Sequence, residues 1–154
     1  MSSVLSGDFE TLLALAVAWA LEQEQSVLRR GVALTQAQLD DARKIGISHP
    51  ERIRLLAVAR IPAPENPVLA SAAEAAGLVM STASGLTLRY GIYLREDRMD
   101  DRQLLAHELV HTWQFERFGG VESFLREYLG ECLSAGYAQS PLEHEAIRIA
   151  AGFV

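Results

Sequence analysis

From Leu86 to Leu94 apolar and polar residues alternate without a break. Leu86, Leu88, Tyr90, Ile92 and Leu94 fall on one side, and Thr87, Arg89, Gly91, Tyr93 and Arg95 on the other. A period of two belongs to a strand with one buried face, so the pattern predicts a single half-buried strand here. Most other apolar positions recur at helical spacing. Residues 8–30 read as a long helix, with Asp8 as N-cap and Gly31 at its end. Its apolar residues, Leu12 to Ala20, cover more than one face, which predicts burial within the domain. A shorter helix is expected from Thr35 to Lys44, where Thr35 and Gln38 have capping-box spacing and Gly46 closes the segment. The stretch Arg52 to Ile61 is ambiguous by period and reads as a strand, ended by Pro62 and Pro64. Asn66 to Ala76 predicts an alanine-rich helix ended by Gly77.

In the C-terminal part Leu104, Leu105, Leu109 and Trp113 repeat at helical spacing between Asp100-Asp101 and Gly119-Gly120, which are start and stop signals. Val121 to Ala135 follows as a helix with Phe124, Leu125, Tyr128, Leu129 and Leu133 expected inward, and Pro141 to Ala151 as the last helix. Helices, then a few strands, then helices argue for an α+β domain rather than alternating βαβ units. The 154 residues fit one domain, 1–154, with enough apolar content (49%) for a core without staples.

Charge removes some function classes. A formal net charge of -6 gives no basic footprint for nucleic acid. The apolar run Leu12 to Leu21 is too short to cross a bilayer, and Asp8 and Glu10 stand where a signal peptide carries positive charge, so no membrane association and a cytoplasmic location are expected. The single cysteine, Cys132, cannot pair within the chain and reads as a small buried hydrophobe.

The strongest chemical signal is His107-Glu108-Leu109-Val110-His111 within the helical stretch. Residues four apart on a helix share a face, so His107 and His111 can aim two imidazoles at one metal ion, Zn2+ by the motif. Glu108 is then the general base that takes a proton from water. Catalytic zinc takes three protein ligands, so the chain must supply another. Glu143, in Ser140-Pro141-Leu142-Glu143-His144-Glu145-Ala146, is the favoured candidate, with Glu145 and Glu131 as alternatives. Glu143 also fits a capping box with Ser140 and Pro141, a purely structural use of the same carboxylate.

His107-Glu108-Leu109-Val110-His111 followed downstream by Glu143-His144-Glu145-Ala146 resembles the zincin metallopeptidases whose third ligand is a glutamate, the gluzincin type. The stretch Ala76 to Gln114 is similar to the small metallopeptidase-like domain of bacterial proteins associated with contractile injection systems, where a strand precedes Leu-Leu-Ala-His-Glu-Leu-x-His and a nearby Gln. The resemblance implies helices packed on a small sheet, Glu143 as the third zinc ligand, a peptide or protein substrate, and a sheet edge at Leu86 to Leu94 that holds it; from its own residues that strand reads equally as an interior one packing Leu, Tyr and Ile on the helices. It also implies an Asp four residues after the ligand glutamate, supporting a zinc-bound histidine. This chain has Ile147 there.

Other roles stay open in the sequence. Tyr128, Tyr137, His144 and Arg148 are candidates to stabilise an oxyanion. Trp113 and Phe115 can line a pocket or fill the core, Gln114 can bond near the site, and His49 reads as loop. The alternative to a peptidase is a catalytically inactive zincin-like domain serving as a metal-binding or protein-interaction module. A di-metal carboxylate bundle needs a second Glu-x-x-His, which the chain lacks, and no Gly-x-Ser-x-Gly supports a serine hydrolase. Oligomeric state is not written in the residues.

Overall fold

The computed structural model describes residues 2–154. Among the described residues six α-helices surround a four-stranded mixed sheet, an α+β arrangement. The helices are α1 (Ser2–Arg30), α2 (Gln36–Ile45), α3 (Pro67–Ala75), α4 (Arg102–Phe118), α5 (Val121–Ala135) and α6 (Pro141–Ala150). The strands are β1 (Val32–Ala33), β2 (Arg54–Val58), β3 (Gly85–Leu88) and β4 (Gly91–Arg95), in the order β1-β2-β4-β3. Strands β2 and β4 are parallel, and the two outer pairings are antiparallel.

Local signals account for most element ends. Thr35 and Gln38 form the reciprocal capping box of α2, which Gly46 ends in the left-handed conformation. Asn66 caps α3 through Val68 and Leu69. Helix α1 begins before Asp8, which therefore lies inside it rather than capping it. Its expected burial is met: Leu12, Leu13, Ala16, Ala20 and Val27 are buried against the sheet, α3 and α5. Among the described residues no helix is long and apolar enough to cross a membrane.

The alternating stretch departs from expectation. It is a hairpin, with Leu88 paired to Gly91 and Arg89-Tyr90 as its turn. The turn flips the parity of the pattern. Leu86 pairs with Tyr93 and faces the α1–α5 side, while Ile92 and Leu94 face the core shared with α2 and α4. Thr87 pairs with Ile92 and so points toward α4.

Arg89 makes the turn with φ 58°, a left-handed conformation uncommon for a residue with a Cβ. Long-range contacts hold it there. The buried Glu24 carboxylate of α1 accepts from Arg89 Nε (2.9 Å), Arg89 Nη2 (2.7 Å) and the Tyr90 backbone N–H (3.0 Å). Thr112 of α4 donates to the Arg89 carbonyl at 2.6 Å. The hairpin is thus clamped between α1 and α4, and β3, the outer strand, runs beside α4.

In α5, Phe124 and Leu129 are buried as expected, but Leu133 faces solvent at 41% exposed. Phe115 is core, and Trp113 packs beside Gly46 with the Arg117 guanidinium 4.5 Å above its ring.

Candidate metal centre

Helix α4 starts at Asp101, whose carboxylate accepts the Leu104 N–H at 2.9 Å, and ends at Gly119 with φ 85°. Within it His107 and His111 lie one turn apart, ring centroids 4.9 Å from each other, on the face toward α6. Helix α6 opens at Ser140, whose Oγ accepts the Glu143 N–H at 3.2 Å.

The reciprocal half of the capping box is not formed. The Ser140 N–H goes to the Tyr137 carbonyl, and the cap is completed from α5, where Glu131 accepts from Ser140 Oγ (2.6 Å) and the Leu142 N–H (3.1 Å). That leaves the Glu143 carboxylate turned toward α4. Its Oε1 lies 3.0 Å from His107 Nε2 and 3.2 Å from His111 Nε2. The three donor atoms are all within 4.8 Å of one another, so His107, His111 and Glu143 can hold a metal ion. Glu131 is taken up by capping, and Glu145 by Arg117 and Gln114.

The surrounding hydrogen bonds test how well this set suits a cation. The Gln114 amide group donates to the Leu142 carbonyl (3.0 Å) and to Glu145 (2.8 Å), so its oxygen is the atom that meets His111 Nδ1 at 2.8 Å. Nδ1 is then the N–H, and the Nε2 lone pair of neutral His111 points at a carboxylate oxygen. Two acceptors face one another there unless a proton or a metal ion lies between them. Without a metal the proton takes that place: burial pulls the His111 pKa down, but the Glu143 carboxylate outweighs it and raises it to about 9. Burial pushes the Glu143 carboxyl up, yet His111, His107 and Tyr128 together hold it well below the usual carboxylate range. Two imidazoles and one carboxylate, with one side open to a cleft, form the donor set of a three-ligand metal site.

Glu108 occupies the same cleft without joining the cluster. It is 6% exposed, and burial, opposed by the two histidines, raises its pKa. Its Oε1 lies 2.8 Å from the Thr87 hydroxyl on β3. A Cβ on Gly85 would stand 3.0 Å from Glu108 Cγ and Cδ, so the strand approaches this closely only because residue 85 has no side chain. The strand alternation that turns Thr87 to α4 turns Gly85 the same way. Neither residue stood out in the sequence. The one available signal was the polar position of Thr87 in the alternating run.

Of the four oxyanion candidates, Tyr128 is half-buried and donates to Glu143 Oε2 at 2.6 Å, while Tyr137, at 36% exposed, places its hydroxyl 3.5 Å from Oε1. His144 turns away to the Ala138 carbonyl, and Arg148 is exposed on α6. Ile147 is exposed, and Gln114 supports His111 instead of an acidic residue at that position. Cys132 is buried, and burial together with Glu143 pushes its thiol up to about 12, which suits a small hydrophobe and not a nucleophile. The cleft measures about 720 Å³ and reaches from the metal cluster to α1, α3 and α5. No family model, curated protein or solved structure matches the chain.

Proposed function

We propose that this chain is a zinc-dependent peptidase with a zincin-like arrangement, in which His107, His111 and Glu143 hold the metal and Glu108 is the general base. The observation that carries the reading is the convergence of Glu143 Oε1 on both Nε2 atoms beside a buried glutamate. Two roles are thereby separated in space, three donors for a cation and one carboxylate held apart from them. Zinc bound to such a set supplies a Lewis acid and brings the pKa of water down to about 7.

The remaining work belongs to the chain. Thr87 fixes one oxygen of Glu108 and leaves the other to accept a proton from the attacking water and pass it to the leaving amine. Tyr137 lines the cleft with its hydroxyl 3.5 Å from Glu143 Oε1, and we assign it as the donor to the oxyanion. The outer edge of β3 offers main-chain groups to an extended peptide laid beside α4. Incubation of zinc-loaded protein with a peptide mixture, read by mass spectrometry, tests this. New cleavage products that vanish in Glu108→Gln support a peptidase. A fully zinc-loaded chain that cuts nothing would leave a metal-binding module.

A further inference from the structure

We infer that the cleft beside the metal centre selects an uncharged stretch of extended peptide, with a bulky apolar side chain next to the bond to be cut. The inference rests on the peptidase reading and names its substrate class. The cleft is walled by Trp19 of α1, Leu69 of α3, and Leu125 and Leu129 of α5, and at about 720 Å³ it falls within the range of ligand sites. Apart from the centre's own residues, Arg98 is its one charged lining side chain among the described residues, and that guanidinium is engaged by Asp101 and Ser84. A charged side chain entering there loses its water and meets no free partner, whereas an apolar one gains by leaving water.

The rim carries the same signal. Val79 and Ile147 line the cleft at 52% and 58% exposed, a cost in the free protein that a covering ligand removes. Ile147 occupies this rim one helical turn after Glu143, so the rim adjoins the metal ligands.

The sheet decides which substrate residues reach the wall. On β3, Gly85 and Thr87 face Glu108 and Leu86 faces the α1–α5 side. A peptide added to that edge alternates in the same way, so every second side chain is directed at the apolar wall while the intervening backbone lies along α4.

The test is binding to zinc-loaded Glu108→Gln protein that also carries Trp113→Phe, so that Trp19 within the cleft is the fluorescent reporter. The probes are short blocked peptides identical except for a central phenylalanine, glutamate or lysine. The phenylalanine peptide is expected to shift Trp19 emission and to bind about tenfold or more tighter than the charged ones. Ile147→Glu, an exposed substitution outside the metal set, should abolish that preference at unchanged zinc content. Equal binding of the three peptides, no binding of the phenylalanine peptide, or a preference untouched by Ile147→Glu would overturn the inference. Zinc content and cleavage by the unmodified chain are read separately. A chain that binds zinc and cuts peptides without apolar preference keeps the peptidase reading and loses this one. A chain that takes no zinc and cuts nothing loses the peptidase reading, whatever the peptides do.

Discussion

Glu24 and Glu143 are buried to a similar depth, 1% and 4% exposed, and their surroundings differ in kind. Glu24 meets a permanent cation, the Arg89 guanidinium, in a two-pronged contact and takes a backbone N–H besides. Its charge is matched within the chain. Glu143 meets two imidazoles, whose charge is conditional, and two phenols. Its surroundings are complete only when a proton or a metal ion is added. The first carboxylate therefore serves the fold, clamping the hairpin that carries β3. The second lines a cleft and, with the two histidines, can hold a metal ion. Depth of burial does not distinguish these two carboxylates; the permanence of their partners does.

The largest expected effect that sharpens this contrast is on stability at the clamp. Glu24→Ala removes the buried half of a part-buried ion pair and leaves the buried Tyr90 N–H without its acceptor, and we expect a loss of about 3 kcal/mol in urea unfolding of metal-free protein. A loss below about 1 kcal/mol would place the clamp among weak surface pairs. At the centre, Gln114→Ala should weaken zinc binding by about 10–100-fold, measured by competition with a chelating dye, because His111 loses the group that fixes its ring and tautomer. Unchanged affinity would reduce Gln114 to packing.

The smallest effect is at Tyr90, whose hydroxyl donates to Glu116 at 2.7 Å. Burial, with Glu116 adding to it, pushes this phenol up to about 12. A raised phenol stabilises the fold fully below the unfolded value near 10 and loses that contribution as pH rises through about 12. Tyr90→Phe should cost about 1 kcal/mol at neutral pH and remove part of the alkaline decline, followed by phenolate absorbance and unfolding together. An alkaline decline identical in the variant would assign it to other groups.

The sequence was most legible where structure is local. Thr35 with Gln38, Asn66, Asp101 and Ser140 each act as N-caps, and their signals are spelled within a few residues. It was least legible at Arg89-Tyr90. Neither central turn residue is Gly or Asn, and what holds Arg89 in a left-handed conformation comes from Glu24 and Thr112, far away in the chain. One unseen turn then put Leu86 and Ile92 on opposite faces. The two-residue strand β1 escaped notice for a related reason, since Val32 and Ala33 are exposed and carry no pattern of their own.

At the site, His107 and His111 could be paired by helical spacing alone. Choosing among Glu131, Glu143 and Glu145 could not be done that way, because the answer depends on how α5 and α6 face α4. In the structure Glu131 caps α6 and Glu145 binds Arg117, which leaves Glu143 facing the histidines. Thr87 and Gly85 meet Glu108 only through strand pairing, so nothing short-range announces them.

The most direct test of the central claim is zinc stoichiometry by elemental analysis, comparing the unmodified chain with a Glu143→Gln variant and a His107→Ala, His111→Ala double variant. About one zinc per chain is expected in the first, sharply reduced occupancy in Glu143→Gln and none in the double variant. An unmodified chain that takes up no zinc from a zinc-containing buffer, or a double variant that binds as much as the original, would contradict the claim.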